Sequence, residues 1–145
     1  MKMTQSIGVL CIALAMFFGG VRIGSADSQI PNLVGTWVVK AEGAVLQRGA
    51  GNGVKTHHKG EFSTLTAEAV VEKQKGPVLR GTFTSPRATE KFVAVIGPDN
   101  RTFSYADEDG FIDGRIVDKD TIQITYRHVT PIDTVVATGV WTRKK

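Results

Sequence analysis

The chain has 145 residues, 18 Lys and Arg against 14 Asp and Glu, and one cysteine, Cys11. That is room for a single domain with a real core. A lone cysteine excludes an intramolecular disulfide framework and a thiolate metal cluster, and a formal charge of +4 is too small to imply a nucleic-acid surface or a polybasic membrane patch.

The N-terminal stretch MKMTQSIGVLCIALAMFFGGVRIGSADS carries Lys2, an apolar run from Ile7 to Phe18, and the small residues Gly24, Ser25 and Ala26. This is the pattern of a secretory signal peptide, residues 1–26, cleaved after Ala26. The run is 12 residues long, short of the roughly 20 that span a bilayer, so no stable membrane anchor is expected. Cys11 follows Leu10 in mid-run, which is not a lipoprotein context. The expectation is a periplasmic or secreted protein of residues 27–145. Removing Lys2 and Arg22 leaves 16 basic against 14 acidic residues, so the mature domain carries +2 and no cysteine.

From there the chain breaks into short β-type runs separated by turn residues. The runs are 33–42, 62–74, 78–85, 91–97, 102–106, 111–117, 121–129 and 135–143. Lys75-Gly76-Pro77, Gly97-Pro98-Asp99-Asn100, Asp107-Glu108-Asp109-Gly110 and Asp118-Lys119-Asp120 are hairpin-length turns between adjacent strands. A parallel sheet would need long crossovers with helices between successive strands, and these short turns leave no room for them. Residues 66–76, TAEAVVEKQKG, have a helix-favouring composition, yet Leu65, Ala67, Ala69 and Val71 alternate with Thr66, Glu68 and Val70, which predicts a strand. In 121–128 the alternation sets Ile122, Ile124, Tyr126 and His128 on one face. Eight such strands predict an all-β fold, an eight-stranded antiparallel up-and-down barrel closed to remove its edges. The one long connection, residues 44–61, is glycine-rich and is the expected lid.

Gly35-Thr36-Trp37 on the first strand, with Arg143 in Val140-Trp141-Thr142-Arg143 on the last, resembles the signature of the calycin superfamily (lipocalins, fatty-acid-binding proteins and avidins). The resemblance implies that Trp37 plugs one end of the barrel with Arg143 packed across its ring, a contact worth about 0.5–2 kcal/mol. Gly139-Val140-Trp141 repeats the Gly-x-Trp step, and each glycine is expected to leave space beside a ring at a shared seam. LVGTW and LRGTFTS look avidin-like, but the tryptophans with which avidins enclose biotin have no counterparts here. ADEDGFIDGRI, residues 106–116, is similar to small exported bacterial proteins of unassigned function.

The chemistry-bearing motifs are sparse. His57 and His58, adjacent in the long loop, would point to opposite faces of a strand and read as a solvated pair. DEDGFIDG, residues 107–114, fails the EF-hand spacing, since Phe111 stands where an oxygen ligand belongs. It reads as an acidic hairpin with Gly110 at positive φ, with Asp113 free to pair Arg115 or Arg127. Ser63, Ser85 and Ser104 lack a nucleophile elbow. No metal, cofactor or catalysis is therefore expected. The inward parity of Leu33, Gly35, Trp37, Val39, Ala41, Ala67, Ala69, Gly81, Gly114 and Gly139 puts many small residues in one lumen, which predicts space for a small, mostly apolar ligand. Tyr126 and His128 would be its polar anchors, with Tyr105 and Phe83 beside them. The alternative is a protease inhibitor or protein-interaction module contacting its partner through the 44–61 loop or through residues 27–32.

Overall fold

A computed structural model describes residues 29–47, 61–131 and 133–145. Eight strands follow one another: β1 (Gly35–Gln47), β2 (Phe62–Lys75), β3 (Val78–Thr84), β4 (Thr89–Ile96), β5 (Thr102–Ala106), β6 (Gly110–Asp118), β7 (Thr121–Val129) and β8 (Asp133–Arg143). Each pairs antiparallel with the next, and β8 returns to β1, closing the barrel. No helix occurs among the described residues. The helix-favouring stretch 66–76 is strand β2, because its alternate alanines and valine face the core and packing overrides propensity.

The two-residue period drives the burial. In β4, Phe92, Ala94 and Ile96 are buried while Lys91, Val93 and Val95 are exposed. Turn chemistry fixes the hairpins: Gly76 sits at φ +57° between β2 and β3, and Asn100 at φ +54° between β4 and β5. Beside Asn100 the Asp99 carboxylate accepts from the Thr102 amide at 2.8 Å, the Thr102 hydroxyl at 2.6 Å and the Arg101 amide at 3.0 Å. The Thr102 hydrogen bonds hold its pKa down at about 2.

The closed end is built on Trp37, which is fully buried. Its indole N–H donates to the Leu33 carbonyl at 3.0 Å, and the Arg143 guanidinium carbon lies 4.3 Å from the ring centroid. The same guanidinium donates to the carbonyls of Val34 at 2.8 Å and Asn32 at 2.9 Å. A Cβ on Gly35, at φ +133°, would come within 3.1 Å of it, so this glycine makes room for the cation rather than for the indole. Gln74 straps the incoming chain down, accepting from Leu33 N at 2.8 Å and donating to the Pro31 carbonyl at 2.9 Å.

The second Gly-x-Trp step does not meet the first. Trp37 pairs with Arg143, Val39 with Trp141 and Ala41 with Gly139, so the two indoles are offset along the seam. Trp141 is instead the centre of the core, with Phe103 at 5.6 Å, Phe92 at 6.0 Å and Tyr105 at 6.0 Å between ring centroids, all edge-on. Its indole N–H finds no hydrogen-bond acceptor.

The inward glycines do not leave a wide lumen. At Gly43, Gly114 and Gly139 a Cβ would stand 2.5, 2.8 and 2.6 Å from a carbonyl oxygen of the neighbouring strand, and at Gly81 closer still to the Val70 carbonyl. Small residues here let the strands coil tightly against each other, and the rings fill what remains. The partly open space left inside the barrel at the end away from Trp37 is about 30 Å³.

Strand β1 also runs further than the sequence suggests, so residues 44–47 are strand rather than loop. Residues 48–60 of the expected lid, with His57 and His58, lie outside the described residues.

Candidate functional site

The end opposite Trp37 carries the polar side chains. Tyr105 from β5, Tyr126 and His128 from β7, and Asp133 from the start of β8 all point inward by strand parity, and the β5–β6 turn brings Asp107 and Asp109 over them. Asp107 organises that turn: it accepts from the Gly110 amide at 2.7 Å, the Asp109 amide at 3.3 Å and the Tyr105 hydroxyl at 2.7 Å. Gly110 is not at positive φ, as the sequence had suggested. It is glycine because a Cβ there would run into the Tyr126 ring.

A chain of contacts continues across β7. The Tyr126 hydroxyl donates to Asp109 Oδ1 at 3.0 Å and lies 2.8 Å from His128 Nδ1, and His128 Nε2 lies 3.0 Å from Asp133 Oδ1. The Thr130 hydroxyl donates to the same Asp133 oxygen at 2.6 Å. The two ring nitrogens thus bridge the Tyr126 phenol and the Asp133 carboxylate, which fixes the orientation of the imidazole. Burial, reinforced by the charge of the neighbouring aspartates, pushes both phenols well above the usual tyrosine range. Both phenols are therefore neutral hydroxyls in the folded barrel.

Phe83, Tyr105 and Tyr126 are brought together around this small space, with Val39, Ala41, Leu65, Ile112, Ile124 and Ala137 completing an apolar wall and Asp107 at its rim. His128 stands behind Tyr126 rather than at the wall, so its contact with the space runs through that ring. Leu65 and Tyr126 are only partly buried and form the looser edge of the core. Asp113 pairs with Arg127 on the outer face, away from His128, so the three do not converge in a pocket.

Sequence reasoning missed Glu90, Asp107 and Asp109, whose oxygens lie within 4.8 Å of one another. A spacing test against an EF-hand could not find them, since Glu90 comes from the neighbouring hairpin. The Asp107 and Asp109 oxygens already accept from both phenols and two backbone amides, so the group reads as the polar rim of the mouth rather than a cation cradle. No protein-family model matches the chain, and no curated protein matches it as a relative.

Proposed function

We propose that this is an exported, calycin-like barrel that binds a small, mostly apolar molecule at the mouth, without catalysis. One observation carries the reading: an apolar wall from seven strands ends at two neutral phenol hydroxyls, on the side of the core where Leu65 and Tyr126 are only partly buried. The Trp37–Arg143 stack supports the calycin-like assignment by giving the barrel a plugged end and leaving the other for binding. The 30 Å³ holds about one water, so a ligand larger than that must swing Leu65 and Tyr126 aside to enter fully. Such displacement limits the ligand to a slender body with one hydrogen-bonding end facing Tyr105 and Tyr126.

Native mass spectrometry of the exported protein, followed by titration with alkyl alcohols and fatty acids while Tyr126 is followed by NMR, tests this. The expected outcome is an adduct or a saturable Tyr126 shift that Ala137→Leu abolishes by filling the space. A bare chain mass, with Tyr126 unmoved by every amphiphile, refutes it.

A second reading, a protease-inhibitor or interaction module working through the 44–61 loop, is favoured by Leu46 and Phe62. Leu46 lies at the start of that segment and Phe62 just past its end, and they are 62% and 79% exposed. A stoichiometric complex with a protease, lost in Leu46→Ser/Phe62→Ser, would select it over the first.

A further inference from the structure

Away from the mouth, the outer face of β2–β3–β4 gathers cations without partners. Lys73 stands directly opposite Arg80 across β2 and β3, and Lys75 stands opposite Val78. Like charges directly opposite on a sheet are destabilising. No ion pair or hydrogen bond relieves these three cations among the described residues. Glu72, the carboxylate beside Lys73 in sequence, accepts from the Thr82 hydroxyl at 2.6 Å.

Next to the cations lies exposed aliphatic surface. Val34, Val78 and Val93 are 42%, 58% and 61% exposed, and Val93 pairs with Arg80 on the side away from Lys73. Together with the cations and the one carboxylate of Glu72 they line an open groove of about 690 Å³, bounded by the incoming chain at Val34, so cations outnumber carboxylates there by three to one. The barrel is closed, so this face offers no free strand edge and a partner must engage it by side chains.

We propose that this groove docks an acidic peptide segment of a partner protein, its carboxylates on Lys73, Lys75 and Arg80 and its aliphatic side chains on the valines. Charge complementarity selects the sign of the partner, since a second copy of this face would oppose cation to cation. The retained repulsion between Lys73 and Arg80 gains its meaning from the anion that neutralises it. The proposal is independent of ligand binding at the mouth, which lies at the other end of the barrel.

The test is fluorescence anisotropy of a labelled eight-residue peptide of alternating glutamate and valine, titrated with the mature chain. Saturable binding is expected, weaker as salt rises, and absent for the peptide carrying lysine in place of glutamate. Lys73→Glu/Arg80→Glu should weaken binding about tenfold or more, as two attractions become repulsions. Val78→Ser/Val93→Ser should weaken it separately. Lys73→Glu alone should hold or raise the thermal midpoint, because it turns a repulsive cross-strand pair into an attractive one, which keeps loss of binding distinct from loss of fold. No saturable binding, or binding indifferent to the charge reversal, overturns the proposal. So does sedimentation with phosphatidylglycerol vesicles that depends on the same residues while the peptide is ignored.

Discussion

Replacing Trp37 by alanine tests the closed end of the barrel directly. The ring is fully buried, donates one hydrogen bond to the Leu33 carbonyl and carries the Arg143 guanidinium on its face. Truncating a buried tryptophan costs about 3–5 kcal/mol, as transfer and cavity terms add. Arg143 keeps its bonds to Val34 and Asn32, so the lost cation–π contact adds little beyond that figure. For the 119 residues from 27 to 145, an unfolding entropy of about 2.1 cal/mol/K per residue sums to roughly 0.25 kcal/mol/K. The midpoint should then fall by roughly 12–20 °C in a calorimetric or circular-dichroism melt. Trp37→Phe, which removes the donor but keeps most of the ring, should lose only about 1 kcal/mol, near 4 °C. A double-mutant cycle with Arg143→Met should return a coupling of about 0.5–2 kcal/mol. An unchanged midpoint in Trp37→Ala would refute the plug, and zero coupling would remove the cation from it.

Gly81→Ala should destabilise by about 1–3 kcal/mol or more, because its Cβ would meet the Val70 backbone carbonyl and the Phe92 ring and neither can step aside cheaply; a melt within 1 °C of the parent would contradict the close strand approach. Gly76→Ala meets nothing within 4 Å, so its expected loss of about 1 kcal/mol is conformational alone, from φ +57°. Tyr105 and Tyr126 should not ionise in the folded barrel. Their folded pKa values are raised above the unfolded value of 10.0, so their contribution to stability is present below pH 10 and is lost as pH rises past it. Tyrosinate absorbance should therefore appear together with unfolding in an alkaline titration, and tyrosinate formation by Tyr105 with the fold intact would contradict the burial.

Most of the architecture was legible in the sequence because a barrel strand writes itself at period two. β5 and β7 start and end where alternation and turn residues say, and the Trp37–Arg143 contact follows from one motif at each end of the chain. β1 overran its expected end because Gly43 and Ala44 read as loop, whereas Gly43 is a place where two strands approach too closely for a side chain. The same cause misled the estimate of the lumen. Composition shows that inward residues are small, but whether small means empty or tightly coiled depends on the neighbouring backbone. Of the site, Tyr126 and His128 were visible from parity, and Phe83 and Tyr105 do share one wall with Tyr126. Glu90 and the role of Gly110 were not, since both depend on which turn lies over which strand.

The seam between β1 and β8 joins residues 86 to 106 positions apart through eleven residue pairs. No local hairpin can stand in for it, and its closure entropy has to be met before any of those pairs forms. Folding should accordingly be slow for the size of the domain, with a high contact order dominated by that one junction. Until β8 arrives, β1 and β7 are bare edges, so a chain truncated before Asp133 should aggregate rather than settle into a seven-stranded sheet.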